Sequence, residues 1–129
     1  MQKRNFIELD PGLLNSTVWT QPATTAVVWL TLRLAAGPGG VVRTSIPGLA
    51  NLANVTLEQC EAALSFLARP DPYNTNQEAL GRRVQATQDG WVLLEQFKSE
   101  ERVADERRRA MNAARQRRFR QRQRERGAE

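Results

Sequence analysis

The chain has 129 residues and no histidine. That absence removes imidazole acid–base chemistry, histidine–cysteine nucleophile pairs and nearly all zinc sites. Its one cysteine, Cys60, can form no internal disulfide, which fits a reducing compartment. A single domain of this length buries about two-thirds of its unfolded surface and holds a core without staples. Cys60 is therefore expected to be a small buried apolar residue. Aromatics are few, 6% of the chain, and Trp19, Trp29 and Trp91 are expected in the core. No apolar run approaches the roughly 18 residues of a membrane span, and the opening MQKRNFIELD is no signal peptide. The expectation is a soluble, cytoplasmic protein with no cofactor, no metal and no catalytic constellation, hence not an enzyme.

What is present is charge, and its placement matters more than its total. Residues 1–98 carry eight lysines and arginines against eight acids, a balance of zero. Residues 99–129 carry 11 arginines against six acids, which supplies the whole net charge of +5. Between residues 107 and 126 ten arginines face Glu125 alone, a local charge of +9. The sequence divides accordingly into a neutral domain, residues 1–98, and an Arg-rich C-terminal tail, residues 99–129.

Along the neutral part, NFIELD (5–10) is β-prone and stops at Asp10-Pro11-Gly12, so a short first strand is expected. LLNSTVW (13–19) suggests a helical turn that tucks Trp19 against the core. The run TQPATTAVVWLTLRLAA fits two patterns. Val28, Leu30, Leu32 and Leu34 alternate as in a strand, whereas Ala23, Ala26, Val27, Leu30 and Leu34 form a helical stripe. Pro22 before it and Gly37-Pro38-Gly39-Gly40 after it favour a helix. Val41 to Arg43 should be extended. SIPGLANLA should form the next helix, capped by Ser45, with Leu49, Leu52 and Ala53 inward.

NVTLEQCEAAL then interrupts one helix and starts another. Thr56 and Gln59 have capping-box spacing, and Val55 and Cys60 the matching hydrophobic-staple spacing. Leu57, Cys60, Leu64 and Leu67 repeat at helical intervals and should be buried, each contributing about 1.5–3 kcal/mol. Glu58, Gln59, Glu61, Ala62, Ser65 and Arg69 remain on the outer face. A short helix, a tight turn and a sharply started helix over residues 57–69 make a helix-turn-helix pattern. RPDPYNTNQEALG (69–81) is a loop. RRVQATQDGWVLLEQF is expected to be a hairpin: Val84 and Ala86 on one arm, Asp89-Gly90 at the turn, Trp91 to Phe97 returning. The fold class is thus α+β: a winged helix-turn-helix, mostly helical with a C-terminal β-hairpin wing. The tail has helix formers and Asp105/Arg109 four apart, yet only Val103, a few alanines, Met111 and Phe119 are apolar. It is expected to be a frayed helix or disordered until it meets an anion.

Residues 16–98 carry Gly48-Leu49-Ala50, Leu57-Glu58 with Ala63-Leu64, Pro70-Asp71-Pro72, Gly81-Arg82-Arg83 and Gly90-Trp91. With the arginine tail behind them, these segments resemble the winged-helix domains of phage replisome organisers and related phage replication proteins. The resemblance implies DNA binding, often at a replication origin, contact with host replication proteins, and location in the bacterial host cytoplasm.

In a winged helix the second helix of the motif enters the major groove by its first residues. Gln59 would read adenine, Thr56 would hold a phosphate, and Glu58 would accept from cytosine. Glu58 and Glu61 also place negative charge there, which leaves open a solvated or protein-binding helix. Arg43 and Ser45, with Arg82 and Arg83 at the hairpin, are candidate phosphate contacts. The densest signal is Arg107, Arg108, Arg109, Arg115, Arg117, Arg118, Arg120, Arg122, Arg124 and Arg126, which are expected to cover every face if helical and so to suit a phosphate backbone. Phe119 is placed to stack or intercalate. The partner is DNA or RNA, with no membrane. A phage replication initiator comes first among the readings. A small transcriptional regulator comes second, and an adaptor with a protein-binding acidic helix and a nucleic-acid-holding tail is the third.

Overall fold

The structure, a computed structural model, describes residues 6–127 and divides the chain into two compact units, Met1–Phe97 and Lys98–Glu129. The first begins with two 3-10 turns, Pro11–Asn15 and Thr17–Thr20. Local side chains start both: Asp10 accepts the Gly12 N–H at 2.8 Å, and Ser16 Oγ accepts the Val18 N–H at 3.2 Å. Val18 is the residue buried here, while Trp19 is exposed, so the expected anchor is one position away. Residues 6–10 form no strand, against expectation; the sheet pairs no element with them. Asn5, the first residue of that expected strand, lies outside the described residues.

Helix α1 spans Ala23–Ala35. It buries Thr25, Val28, Trp29 and Leu32, whereas Val27 and Leu34 of the expected stripe are exposed. Apolar residues lie on more than one side of this segment, so its pattern does not choose which face is buried. The face is chosen by α2 (Ile46–Ala53) and α3 (Leu57–Ala68), both packed on it.

Between α1 and α2 runs β1, Val41–Val42, and after α3 come β2, Val84–Ala86, and β3, Trp91–Leu93. The sheet has the order β1-β3-β2 and is antiparallel throughout, with Trp91 opposite both Val42 and Ala86. The hairpin closes through the Thr87 N–H donating to the Gly90 carbonyl at 2.8 Å. Gly90 is required by space rather than by a positive φ, since a Cβ there would lie 2.0 Å from the Val42 carbonyl oxygen. The returning arm ends at Leu93, not at Phe97. Leu94 opens α4, Leu94–Gly127, its N–H donating to the Arg83 carbonyl at 3.1 Å. No glycine or proline interrupts the sequence from Leu94 to Arg126, and Leu, Glu, Gln, Lys, Arg and Ala dominate it, so the helix starts directly after β3.

The core gathers Val18, Val28, Leu32, Leu49, Cys60, Leu64, Leu67, Val84 and Leu93 from the second 3-10 turn, α1, α2, α3, β2 and β3. Burial pushes the Cys60 thiol above its ordinary value, with the Glu61 charge acting in the same direction. Two leucines expected inside are outside: Leu52 is 64% exposed and Leu57 48%.

A buried ion pair ties the irregular parts together. Asp71 and Arg83 are 6% and 7% exposed, and Arg83 Nη1 donates to Asp71 Oδ2 at 2.9 Å. Arg83 Nη2 also donates to Thr17 Oγ1 at 2.8 Å, and Thr17 Oγ1 donates to Asp71. The Tyr73 N–H donates to the other Asp71 oxygen at 3.0 Å. Beneath Arg83 lies the Phe66 ring, 5.6 Å from the guanidinium carbon. Gly81, at φ +81°, lets the loop close, because a Cβ there would lie 2.0 Å from the Asp71 carbonyl oxygen. Burial alone would raise the Asp71 pKa. The hydrogen bonds from Thr17, Arg83 and Tyr73, with the Arg83 charge, outweigh it and hold the carboxyl below its ordinary value.

The second unit is helical through Gly127, with Val103, Met111 and Phe119 exposed. The tail takes the helical one of the two forms expected for it. Asp105 pairs with Arg108, three residues on, in place of Arg109. No described helix is long and apolar enough to cross a membrane.

Replacing Asp71 with Asn strands a buried guanidinium, and unfolding in urea at neutral pH should show a loss of about 3–5 kcal/mol. Because the folded-state pKa is depressed, the carboxylate's contribution is complete above the unfolded value of about 3.9 and disappears as pH falls through the folded one. The gap between wild type and Asp71→Asn should therefore narrow in acid.

Candidate nucleic-acid interface

Asn54 makes the restart between α2 and α3 possible. It ends α2 in the left-handed region at φ 56°, and the Val55 N–H then donates to the Ala50 carbonyl at 3.0 Å. An asparagine tolerates this conformation better than most side chains. Thr56 follows as the cap of α3. Its Oγ1 accepts the Gln59 N–H at 3.1 Å, while Gln59 Oε1 accepts the Thr56 N–H at 3.0 Å. The capping box expected from the spacing is formed.

This geometry limits what these residues offer a ligand. Gln59 needs both its oxygen and its NH2 to grip adenine, and its oxygen is held by its own helix. Thr56 Oγ1 likewise already accepts one hydrogen bond from its own helix, with its proton left to donate. Ser45 Oγ accepts the Gly48 N–H at 3.1 Å as the cap of α2. Glu58, Gln59, Glu61, Ala62, Ser65 and Arg69 line the outer face of α3 as expected, all exposed. That face therefore presents two carboxylates, an amide and, at its far end, a guanidinium.

The body's other candidate cations divide. Arg43 is exposed and lies 3.5 Å from the exposed Asp89 at the hairpin tip; such a surface pair contributes little and yields readily to a phosphate. Arg82 turns back, its Nε donating to the Ala79 carbonyl at 3.2 Å. Arg83 is not a phosphate contact at all: it is buried and bonded to Asp71, Thr17 and Ser16. In sequence the two arginines are neighbours on a strand edge. Only the folded Pro70–Gly81 loop brings a carboxylate to the second. Arg69, exposed at the end of α3 and stacked 4.9 Å over Phe66, is a further exposed cation of the body that is absent from the sequence-derived candidates. Its spacing of three from an aromatic on a helix is the signal that pointed to it.

A cavity of about 420 Å³ opens between the first 3-10 turns, α1 and the 73–75 loop, lined by Trp29, Arg33, Tyr73, Arg83 and Glu95 among others. Its cations are already engaged, Arg83 as above and Arg33 with the Glu8 carbonyl at 3.2 Å. Among the described residues no group of three His, Cys, Asp or Glu side chains is placed to hold a metal.

In the second unit every arginine from Arg107 to Arg126 is exposed. Laid on a helix at about 100° per residue, they do not cover every face. Arg107, Arg108, Arg115, Arg118, Arg122 and Arg126 form one stripe, and Arg109, Arg117, Arg120 and Arg124 a second. Asn112, Gln116, Phe119 and Gln123 fill the gap on one side, and Ala110, Ala114 and Gln121 the gap on the other. The sequence order hides this division because consecutive arginines fall on different stripes.

Thr56→Ala removes one half of the capping box and should lower unfolding stability by about 1 kcal/mol, measured by thermal denaturation, whether or not nucleic acid is present. No family model, no curated protein and no solved structure matches the chain.

Proposed function

We propose that this chain is a DNA-binding protein, its body a winged helix-turn-helix and its arginine helix the electrostatic anchor. The observation that carries the reading is the charge of +9 between residues 107 and 126, on a helix that is exposed and has no apolar stripe to bury. A helix of that kind gains stability by neutralising a polyanion, releasing its condensed counterions. Arginine is the only cation in it, and guanidinium pairs bidentately with phosphate.

The winged-helix reading rests on the succession α1-β1-α2-α3-β2-β3 with the central strand last in the chain, and on the tight turn into a capped α3. In that architecture α3 takes the position of the groove-entering helix and the β2–β3 hairpin that of the wing. The resemblance of residues 16–98 to phage replication proteins makes replication initiation the preferred biological setting, ahead of transcriptional control.

A second reading concerns α3 alone. Glu58 and Glu61 repel phosphate, and the exposed Leu52 and Leu57 flank the turn that precedes them. An acidic rim beside exposed leucines suits a basic, apolar protein surface, so the body would act as an adaptor while the arginine helix holds the nucleic acid.

In gel shifts of full-length protein and of protein ending at Lys98, on duplex DNA, single-stranded DNA and RNA, the full chain should bind with a log–log salt slope of about −5 for some six neutralised phosphates. The shortened chain should lose that binding; affinity that survives intact makes the arginine helix a bystander. Glu58→Lys with Glu61→Lys should raise DNA affinity several-fold if α3 lies against DNA, and leave it unchanged if α3 serves a protein.

A further inference from the structure

The arginine helix carries a face with no charge in the middle of its basic segment. Asn112, Gln116, Phe119 and Gln123 are spaced four, three and four residues apart, which keeps them on one line of a helix. All four are exposed, Phe119 at 62%. An arginine stripe runs along each side, with Arg108, Arg115, Arg122 and Arg126 on one flank and Arg109 and Arg120 on the other. Random scatter of ten arginines over twenty positions has no reason to leave three amides and one aromatic together. A helix built only to attract phosphate gains nothing by keeping them clear of charge.

We infer that this helix lies in the major groove of duplex DNA with the amide line facing the base edges and each arginine stripe against one phosphate wall. The dimensions agree. A helix with its side chains is about 10–12 Å across, and the major groove is about 12 Å wide. Two stripes separated by an uncharged line match two phosphate strands separated by bases. Asn and Gln are the side chains that grip adenine through N6 and N7, and an aromatic ring between them meets a thymine methyl. From Asn112 to Gln123 the line runs about 16 Å, or roughly five base-pair steps. Toward the N-terminus the same line meets Asp105 and Glu101, where the helix turns acidic, and that change ends the DNA-facing segment. Glu125 sits within the larger stripe, where it weakens but does not reverse the local charge. RNA is disfavoured because its deep, narrow major groove admits no side chains from such a helix.

This inference rests on the DNA-binding reading and moves base recognition from α3, whose Gln59 oxygen is engaged, to the amides of α4. The test is selection of preferred duplexes from a randomised pool by full-length protein, followed by competition between the selected duplex and a scrambled one. The comparison protein carries Asn112→Ala, Gln116→Ala and Gln123→Ala together, all at exposed positions. Wild type should enrich short A·T-containing sites and prefer them by tenfold or more, about what one bidentate pair supplies. The triple variant should keep its affinity for scrambled DNA within about threefold, with the same salt slope, and lose the preference. Methylation protection at guanine N7 beside the site should report major-groove occupancy in wild type. Enrichment of no sequence, a preference that survives the triple substitution, or tighter binding to RNA or single strands would overturn the inference while leaving salt-dependent binding in place. Absence of salt-dependent binding to any polynucleotide would instead remove the DNA-binding reading beneath it.

Discussion

Asp71 and Arg83 lie twelve residues apart in sequence and meet where water is almost excluded, so each charge depends on the other and on the hydroxyl of Thr17 between them. A buried guanidinium with no carboxylate would be intolerable, and a buried carboxylate with no donors equally so. This pair gives the 71–81 loop its shape and joins it to the start of β2 and to the 3-10 turns before α1. Those segments have few apolar residues of their own. The neighbouring constraints follow from the same closure: Gly81 must be glycine because the backbone of Asp71 occupies the place of a Cβ.

Around that fixed point the body is a small, ordinary core. α1, α2 and α3 pack against one another, and a three-stranded sheet covers the remaining side with the last strand in the middle. The turn from α2 to α3 works through local chemistry alone: a left-handed asparagine, a half-buried valine and a reciprocal cap. That economy has a consequence for recognition. Side chains spent on the cap, Thr56 and Gln59, are the ones a groove-reading helix would want free. Leu52, Leu57, Glu58 and Glu61 of the same region are all exposed.

The second unit follows a different physics. Its helix is sustained by intrinsic propensity and by pairs such as Asp105 with Arg108, and it buries no core. Its arginines repel one another along the helix, and counter-anions screen that repulsion. The uncharged line through Asn112, Gln116, Phe119 and Gln123 exists only once the segment is helical, since nothing in linear order sets these residues together.

Much of this was legible in the chain itself. Capping residues at Ser45, Thr56 and Gln59 determine where α2 and α3 begin, because caps act within four residues and need no distant partner. The division into a neutral part and a cationic part follows from composition, and the buried Cys60, Leu64 and Leu67 from spacing alone. Other features were decided only by tertiary structure. Which face of α1 is buried depends on what packs against it. Whether Leu93 is followed by strand or helix is decided at Leu94, whose N–H donates to the Arg83 carbonyl as α4 begins. Whether Arg83 meets solvent or a carboxylate depends on a loop closing over it. In each case local sequence admits two outcomes, and a contact with a distant residue selects between them.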